Sequence, residues 1–433
     1  MKRKQIFVML LLLLSVYAAV AQEILVLDLK GAREHALQYN KTLKNSGLAI
    51  SQSQERLKEA IAAGLPQITG AMDYSNALGA KITIRFNPDM PASEIPIKPQ
   101  SNFNLQVSQL LFSGNYIVAI QLARLGASLS EKSYEKTEQE IIAQVTDGYH
   151  LVLMSKELLA LLQKNMENLK EMYEKTAALE KVGIIEKTDV DLLTVQISAL
   201  QNAINSSERQ YEMAQNMLRL FIGAKAETGL ELTESLGQVL TQANTRAMMN
   251  SPFNVEQNID FQLMAFQEQL VEKQIKMQQA NYLPTLASFY TRTEKLIKPD
   301  FDMSPKNMVG LRLNIPLFSG GARASQVRQA RIDLETTRNT KALLVEQLEI
   351  QEKQLRFNLR NAQETYTNQV KNLDVSRRVY TNLKLKFEHG LISGLDLVNA
   401  DNNYVRAETD YISSVYQLLN AQVELDKLYG KLK

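Results

Sequence analysis

The chain has 433 residues, 45% of them hydrophobic, with 49 Lys and Arg against 47 Asp and Glu and no Cys or Trp. A balanced charge without a basic block argues against nucleic acid as a partner, and the lack of Cys excludes disulfides, thiol chemistry and a lipid anchor on cysteine. With 18 Gly and 10 Pro there are few breakers, so a helix-dominated chain is expected.

The N-terminus has the parts of a secretory leader in the right order. Met1-Lys2-Arg3-Lys4 is basic, Ile6 to Val16 is almost wholly apolar, and Ala19-Val20-Ala21 supplies a small-x-small cleavage site. Residues 1–21 therefore read as a signal peptide, with the mature chain starting near Gln22. A transmembrane anchor is the other reading, but the apolar run is short for a span of roughly 20 residues. No later stretch is long and apolar enough for a membrane helix, whereas barrel strands alternate and leave only a weak hydropathy trace.

A helix is expected from about Leu29 to Ala62. After Leu65-Pro66, the residues Ile68, Gly70, Met72 and Tyr74 alternate with polar or small neighbours, which is the period of a strand. Asn87-Pro88-Asp89-Met90-Pro91 to Pro99 is Pro-rich and polar, as suits an exposed loop tip. Phe103, Leu105 and Val107 alternate again before Leu111-Phe112-Ser113-Gly114. From Asn115 to Lys181 no Pro occurs, and Ile142, Val145, Tyr149, Val152, Leu159, Leu162, Met166, Leu169 and Tyr173 form one apolar stripe. That is the seam of helices packed side by side, over a length of roughly 100 Å. Gly183 ends this helix. A return helix is expected from Thr188 to Phe221, then an irregular polar segment from Gly223 to Ser251, then a helix from Val255 to Asn281.

The plan then repeats. Leu283-Pro284 answers Leu65-Pro66, Leu317-Phe318-Ser319-Gly320 answers Leu111 to Gly114, and Gly390-Leu391-Ile392 answers Gly183-Ile184-Ile185. Asp396 answers Asp189, 207 residues on. Landmarks kept in one order at nearly one spacing indicate an internal duplication. Its second copy has a poorly alternating strand from Thr285 to Thr293, a clean one through Val309, Leu311, Leu313 and Ile315, a long helix from Gly321 to Glu388, and a return helix from Asp396 to Leu428. The expected domains are a first structural repeat over 22–235, a connecting equatorial segment over 236–254, and a second repeat over 255–433. A generic coiled coil is the plainer alternative, but matched long and split helices flanked by strands argue against it.

One apolar and one polar strand face suits a lipid-facing, water-lined barrel, and equally a soluble hairpin laid on a core. Four strands cannot close a barrel, and open edges are not tolerated in lipid. A barrel therefore requires several copies, of which three would supply twelve strands.

The Leu-Pro strand entries, the Leu-Phe-Ser-Gly strand exits and the two glycine tips together resemble the TolC family of outer-membrane efflux channels, over nearly all of the mature chain. The resemblance implies a mainly α fold with a small β part, a duplicated helix–β-hairpin–long helix–helix repeat. It implies a homotrimer, with one twelve-stranded outer-membrane β-barrel set in lipid and continued by a periplasmic α-helical barrel. It also implies an exit duct of a tripartite efflux system, carrying small molecules passively from periplasm to exterior. The helix tips would meet a periplasmic adaptor (membrane fusion) protein of an inner-membrane RND or ABC pump. The outer-membrane component of type I protein secretion is the alternative; a periplasmic coiled-coil adaptor or scaffold is a third, although an adaptor would hold one helical hairpin within β-rich domains.

The family closes its periplasmic end with acidic side chains just after the second tip glycine. Asp396 fits the first such position and Asn399 occupies the second, making them the expected pore gate. A ring of three Asp396 carboxylates would attract cations. Asp396 also reads as an N-cap of the return helix, which is compatible with that role. The family's polar latch joins an Asp of the first tip to an Arg of the second. Asp189 fits, but Ile392 stands where the Arg belongs and Phe387 replaces a nearby Tyr, so closure is expected to rest on packing. Gly183 and Gly390 read either as left-handed helix ends or as small residues that admit an adaptor helix. The apolar pairs Ile184-Ile185 and Leu391-Ile392 are the expected docking residues.

His35, His150 and His389 lie apart without metal spacing, and Gly320-Gly321 is not followed by Gly-Lys-Ser/Thr. No metal, cofactor or enzymatic activity is expected.

Overall fold

A computed structural model describes residues 24–85, 91–242, 251–297 and 304–432. The expected leader and the stretch Asn87 to Met90 lie outside the described residues. In chain order the elements are β1 (Ile24–Leu27), α1 (Leu29–Tyr39), α2 (Lys41–Ala62), β2 (Gln67–Ser75), β3 (Lys81–Ile84), β4 (Ser93–Pro96), β5 (Gln100–Ser113) and α3 (Gly114–Lys181). There follow α4 (Lys187–Ile222), β6 (Gly229–Leu232), α5 (Leu236–Gln242), a 3-10 turn (Val255–Gln257) and α6 (Ile259–Ala280). The chain ends with β7 (Thr285–Lys295), β8 (Asn307–Asn314), α7 (Ala322–Glu388) and α8 (Gly394–Leu428). The fold is mainly α with a small β part, and each half runs helix, strand pair, long helix, return helix.

The chain forms two compact units. One holds the described residues up to Gly47 together with Tyr134–Phe261 and 344–432; the other holds Leu48–Ser133 and Gln262–Leu343.

In the first unit the core forms where the stripe of α3 meets α1, α4 and α8. Val145, Tyr149, Val152, Leu218 and Ile222 are fully buried there. The expected single helix from Leu29 to Ala62 breaks at Asn40, because that side chain has better partners than a helix interior offers. Its Oδ1 accepts from the Thr42 and Leu43 amides at 2.8 and 3.1 Å, starting α2, and its Nδ2 donates to Phe221 O at 2.7 Å, ending α4. Gly223 follows at φ +77, with the Tyr39 carbonyl so close that a Cβ would lie 2.5 Å from its oxygen. Only glycine meets both demands.

The segment from Gly223 to Ser251 is not irregular throughout. β6 pairs in parallel with β1, Leu25 opposite Leu230 and Leu27 opposite Leu232. Leu230, Leu232, Leu236 and Val239 are all buried in the core of this unit. Glu234 pins the segment, accepting from the Leu29 amide at 2.9 Å and from the Tyr149 hydroxyl at 3.0 Å. In the second unit the residues between β2 and β5 that the second half lacks form a small hairpin, β3 against β4, with Ile82 facing Ile95 and an ion pair between Lys81 and Glu94 at 2.8 Å.

Candidate functional site

Two regions carry the expected functional residues, one in each unit. The first is a four-stranded antiparallel sheet in the order β2-β5-β7-β8. Register places Ile68, Val107, Tyr290 and Val309 in one cross-strand row. Moving two residues at a time along the strands, that face gathers Met72, Tyr74, Phe103, Leu105, Leu311 and Leu313, whereas the opposite face gathers Thr69, Asp73, Asn102, Gln106, Ser108, Thr291 and Arg312. The polar face bonds across strands: Asn104 donates to Asp73 at 3.1 Å and accepts from Thr293 at 2.8 Å. β7 alternates poorly for two local reasons. Phe289 lies on the polar face, under the Arg312 guanidinium at 5.6 Å and against Gly310, where a Cβ would meet its ring. Arg292 and Glu294 lie on the apolar face but at the strand end, paired at 2.7 Å.

The apolar face has no cover. Ile68 is 69% exposed, Met72 68%, Val309 80% and Leu311 69%. The outer edges of β2 and β8 also lack strand partners within the sheet. Both features call for something outside the chain: apolar solvent for the face, another strand for each edge. Among the described residues no helix is long and apolar enough to cross a membrane.

The second region is the pair of helix tips in the other unit. Each long helix ends in the same six-residue closure. The Ile184 amide donates to Leu179 O and the Gly183 amide to Glu180 O, just as Leu391 and Gly390 donate to Lys386 O and Phe387 O, at 2.8–3.0 Å. Gly183 and Gly390 sit at φ +78 and +68, the left-handed residue this closure requires. α8 starts in a reciprocal capping box, where the Ser393 hydroxyl accepts from the Asp396 amide and Asp396 Oδ2 accepts from Ser393. The N-cap is therefore Ser393, and Asp396 is the third helical residue that answers it. Asp396 and Asn399, one turn apart, are both exposed. Asp189 holds the matching position on α4 and lies beside buried Gly394, where a Cβ would come within 3.7 Å of its Oδ1. The two tips are thus neighbours.

Behind the tips, Leu169, Met172, Leu193, Tyr380, Leu397, Val398 and Ala400 form a buried cluster, with Phe387 and Ile392 packed against it. Of the two apolar pairs, Ile184 and Leu391 point outward at 69% and 71% exposure, whereas Ile185 and Ile392 are half-buried. Val182 and Leu395 add to the outward apolar surface at 68% and 49%.

One polar group at this end escapes the sequence analysis. Asp401 of α8 is only 4% exposed. Its carboxylate accepts hydrogen bonds from Tyr380 and Asn165, and burial outweighs both, pushing its pKa up to about 6. Tyr380 stacks on Tyr404, with ring centroids 5.3 Å apart, and Tyr404 donates to Glu408 at 2.6 Å. The sequence does hold a signal, since Leu397, Asp401, Tyr404 and Glu408 follow helical steps along one face, and an acid on an apolar stripe marks a buried charge.

Comparison with known proteins gives the context for both regions. The family model described as outer membrane efflux protein matches residues 32–224 and 255–431. The chain is 22% identical over 422 residues to outer membrane protein TolC of Escherichia coli (strain K12), covering 91% of this chain and 80% of that protein. It is also 22% identical over 424 residues to outer membrane efflux protein BepC of Brucella suis biovar 1, covering 94% and 88%. Among solved structures, the CmeC outer membrane channel of Campylobacter jejuni matches in fold, with a TM-score of 0.74 at 16% identity, over 94% of this chain and 86% of that one.

Proposed function

The chain belongs to the outer membrane efflux protein family, and from that premise we infer how its sheet and its helix tips act. It is an outer-membrane channel of a tripartite efflux system and works as a duct, moving small molecules outward by passive conduction. The observation that carries this reading is the open sheet with an uncovered apolar face and a hydrogen-bonded polar face. In lipid such a sheet is stable only when its edges meet other strands, which closes a barrel with its polar face on a water-filled bore.

Three copies would place twelve strands in that barrel. The helices support the same assembly. On α4, Met213, Met217 and Leu220 are 66%, 44% and 70% exposed at steps of four and three, and on α7, Ile350 and Phe357 are 66% and 68% exposed one heptad apart. Apolar stripes of this period on exposed helix faces seek neighbouring helices, here those of adjacent copies. The outward apolar tip, Val182, Ile184, Leu391 and Leu395, is the surface for a periplasmic adaptor that connects the duct to an inner-membrane pump. Asp396, exposed at the start of α8, supplies one carboxylate per copy to a ring at the periplasmic end, and such a ring favours cations.

The test is the mass and conductance of the purified protein. A trimer in detergent forming cation-preferring channels in planar bilayers, with conductance raised by Asp396→Ala, is the expected result. A detergent-free soluble monomer without channel activity would overturn the reading.

A further inference from the structure

Asp401 sits where α8 meets the helices of both hairpins, α3–α4 and α7–α8. Tyr380 bonds its carboxylate from α7 and Asn165 bonds it from α3, so one buried acid joins the two hairpins. Two clefts flank it. One, of about 250 Å³, is bordered by α3, α4 and α8 through residues such as Leu169, Gln196 and Val398. The other, of about 190 Å³, is bordered by α3, α7 and α8 through Lys164, Arg377 and Glu408. Asp401 and Asn165 line both. A slight separation of the hairpins would therefore widen both clefts and hydrate a carboxylate that is now almost wholly buried.

Charged and titratable neighbours come from three of the four helices. α3 supplies Lys164, α7 supplies Arg377, Tyr380 and Lys384, and α8 supplies Tyr404 and Glu408. Among the described residues α4 lines these clefts with Gln196 and apolar side chains only. Glu408 disfavours the ionised form of Asp401 and Lys384 favours it, but burial remains the largest influence.

The internal duplication shows that the fold does not demand an acid here. At the shared spacing of 207 residues, Thr194 stands for Asp401 and Ile197 for Tyr404. Thr194 is exposed, and its hydroxyl donates to Val190 O of its own helix at 3.0 Å.

We propose that Asp401 is a proton-operated catch between the two hairpins, whose protonated form holds them packed and whose ionised form favours their separation. Resting on the channel reading, this makes mild acid close the periplasmic end and neutrality loosen it. The size follows from linkage. A carboxyl titrating near 6 when packed, and near its ordinary 3.8 when hydrated, changes the packed-to-separated ratio about 25-fold per copy between pH 7.5 and 4.5.

Because the chain contains no Cys, spin labels on Ile184→Cys and Leu391→Cys go to the two tips alone. Measured in the full trimer in lipid, with labelled copies diluted by unlabelled ones, the close tip-to-tip distance gains population as pH falls from 7.5 to 4.5, with a midpoint between about 4 and 6. Asp401→Asn fixes the close distance at every pH. Tyr380→Phe removes a donor to the ionised form and moves the midpoint upward, which tests the catch even where the Asn variant does not assemble. Asp396→Asn leaves the titration in place. Distances insensitive to pH, or an unchanged titration in assembled Asp401→Asn or Tyr380→Phe, would overturn the proposal. Loss of all conductance with the tip titration intact would instead overturn the channel reading.

Discussion

His150 offers a sharp test of how the core of the helical unit is built. It lies on α3 at 3% exposure, and neither ring nitrogen has a hydrogen-bond partner among the described residues. Burial first, then the nearby Arg33 charge, push its pKa from 6.5 down to about 4. Arg33 itself is held close by, its Nε donating to Thr146 at 3.0 Å. A folded pKa below the unfolded one means that the unfolded chain binds the proton first. This contribution is therefore neutral above about pH 7 and costs stability as pH falls from 6.5 towards 4. Over the whole window it amounts to about 3 kcal/mol per copy, of which about 2 kcal/mol is already lost at pH 5. Replacing His150 by Leu removes both the proton site and two unpaired polar atoms. The variant is expected to be more stable than wild type at pH 7.5 by about 1 kcal/mol or more, and by about 2 kcal/mol further at pH 5. Asp401, raised to about 6, contributes with the opposite sign, gaining stability as pH falls below 6. The measurement is thus the difference between variant and wild type in denaturant unfolding of the detergent-solubilised protein, followed by far-UV circular dichroism at both pH values. Equal pH dependence in the two proteins would refute the reasoning.

Two further outcomes follow from local geometry. Val309→Arg puts a guanidinium on the apolar sheet face at a residue that is 80% exposed; at mid-depth in a bilayer this costs about 2–4 kcal/mol, so the outer-membrane fraction should fall sharply, whereas Thr291→Arg on the polar face should integrate normally. Ser393→Ala removes the N-cap of α8 and half of its capping box, at a cost of about 1 kcal/mol. Hydrogen exchange should then quicken in the first turn of α8 while the end of α7 at Gly390 stays protected.

The long helices, their glycine ends and the four strands of the sheet were legible because their signals repeat along the sequence. In α3, a Pro-free run with an apolar stripe from Ile142 to Tyr173 leaves little choice of structure. What stayed hidden depends on distant partners. β1 and β6 have four residues each and are fixed by pairing with one another, Ile24 opposite Gly229, and by packing on a distant core. The break at Asn40 needs the Phe221 carbonyl, which no local pattern announces. In the segment after Gly223 a switch of period is visible in retrospect: Leu230 and Leu232 are two apart, Leu236 and Val239 three apart, and all four are buried. At the tips the sequence shows which residues lie at the turn, but not that Ser393 caps α8. The buried acid Asp401, two positions beyond Asn399, is signalled only by its helical spacing from Leu397 and Tyr404.

Two of the features that resisted sequence reading are places where the two halves differ. Among the described residues the β3–β4 hairpin belongs to the first half alone, and the buried acid to the second. A duplication explains why such differences are tolerated. The shared elements form the packing that every copy needs, so they keep the apolar stripes and glycine ends at matched positions. A feature borne by one half is free of that constraint and can be added without disturbing the other. If three copies surround one axis, their hairpin pairs alternate around the ring, one kind bearing Asp401 and the other Thr194. A proton acting on Asp401 then works at three equivalent junctions while the Thr194 positions stay indifferent to pH. With the proposed catch, the duplicated chain would separate a fixed set of helices from a responsive one within a single ring.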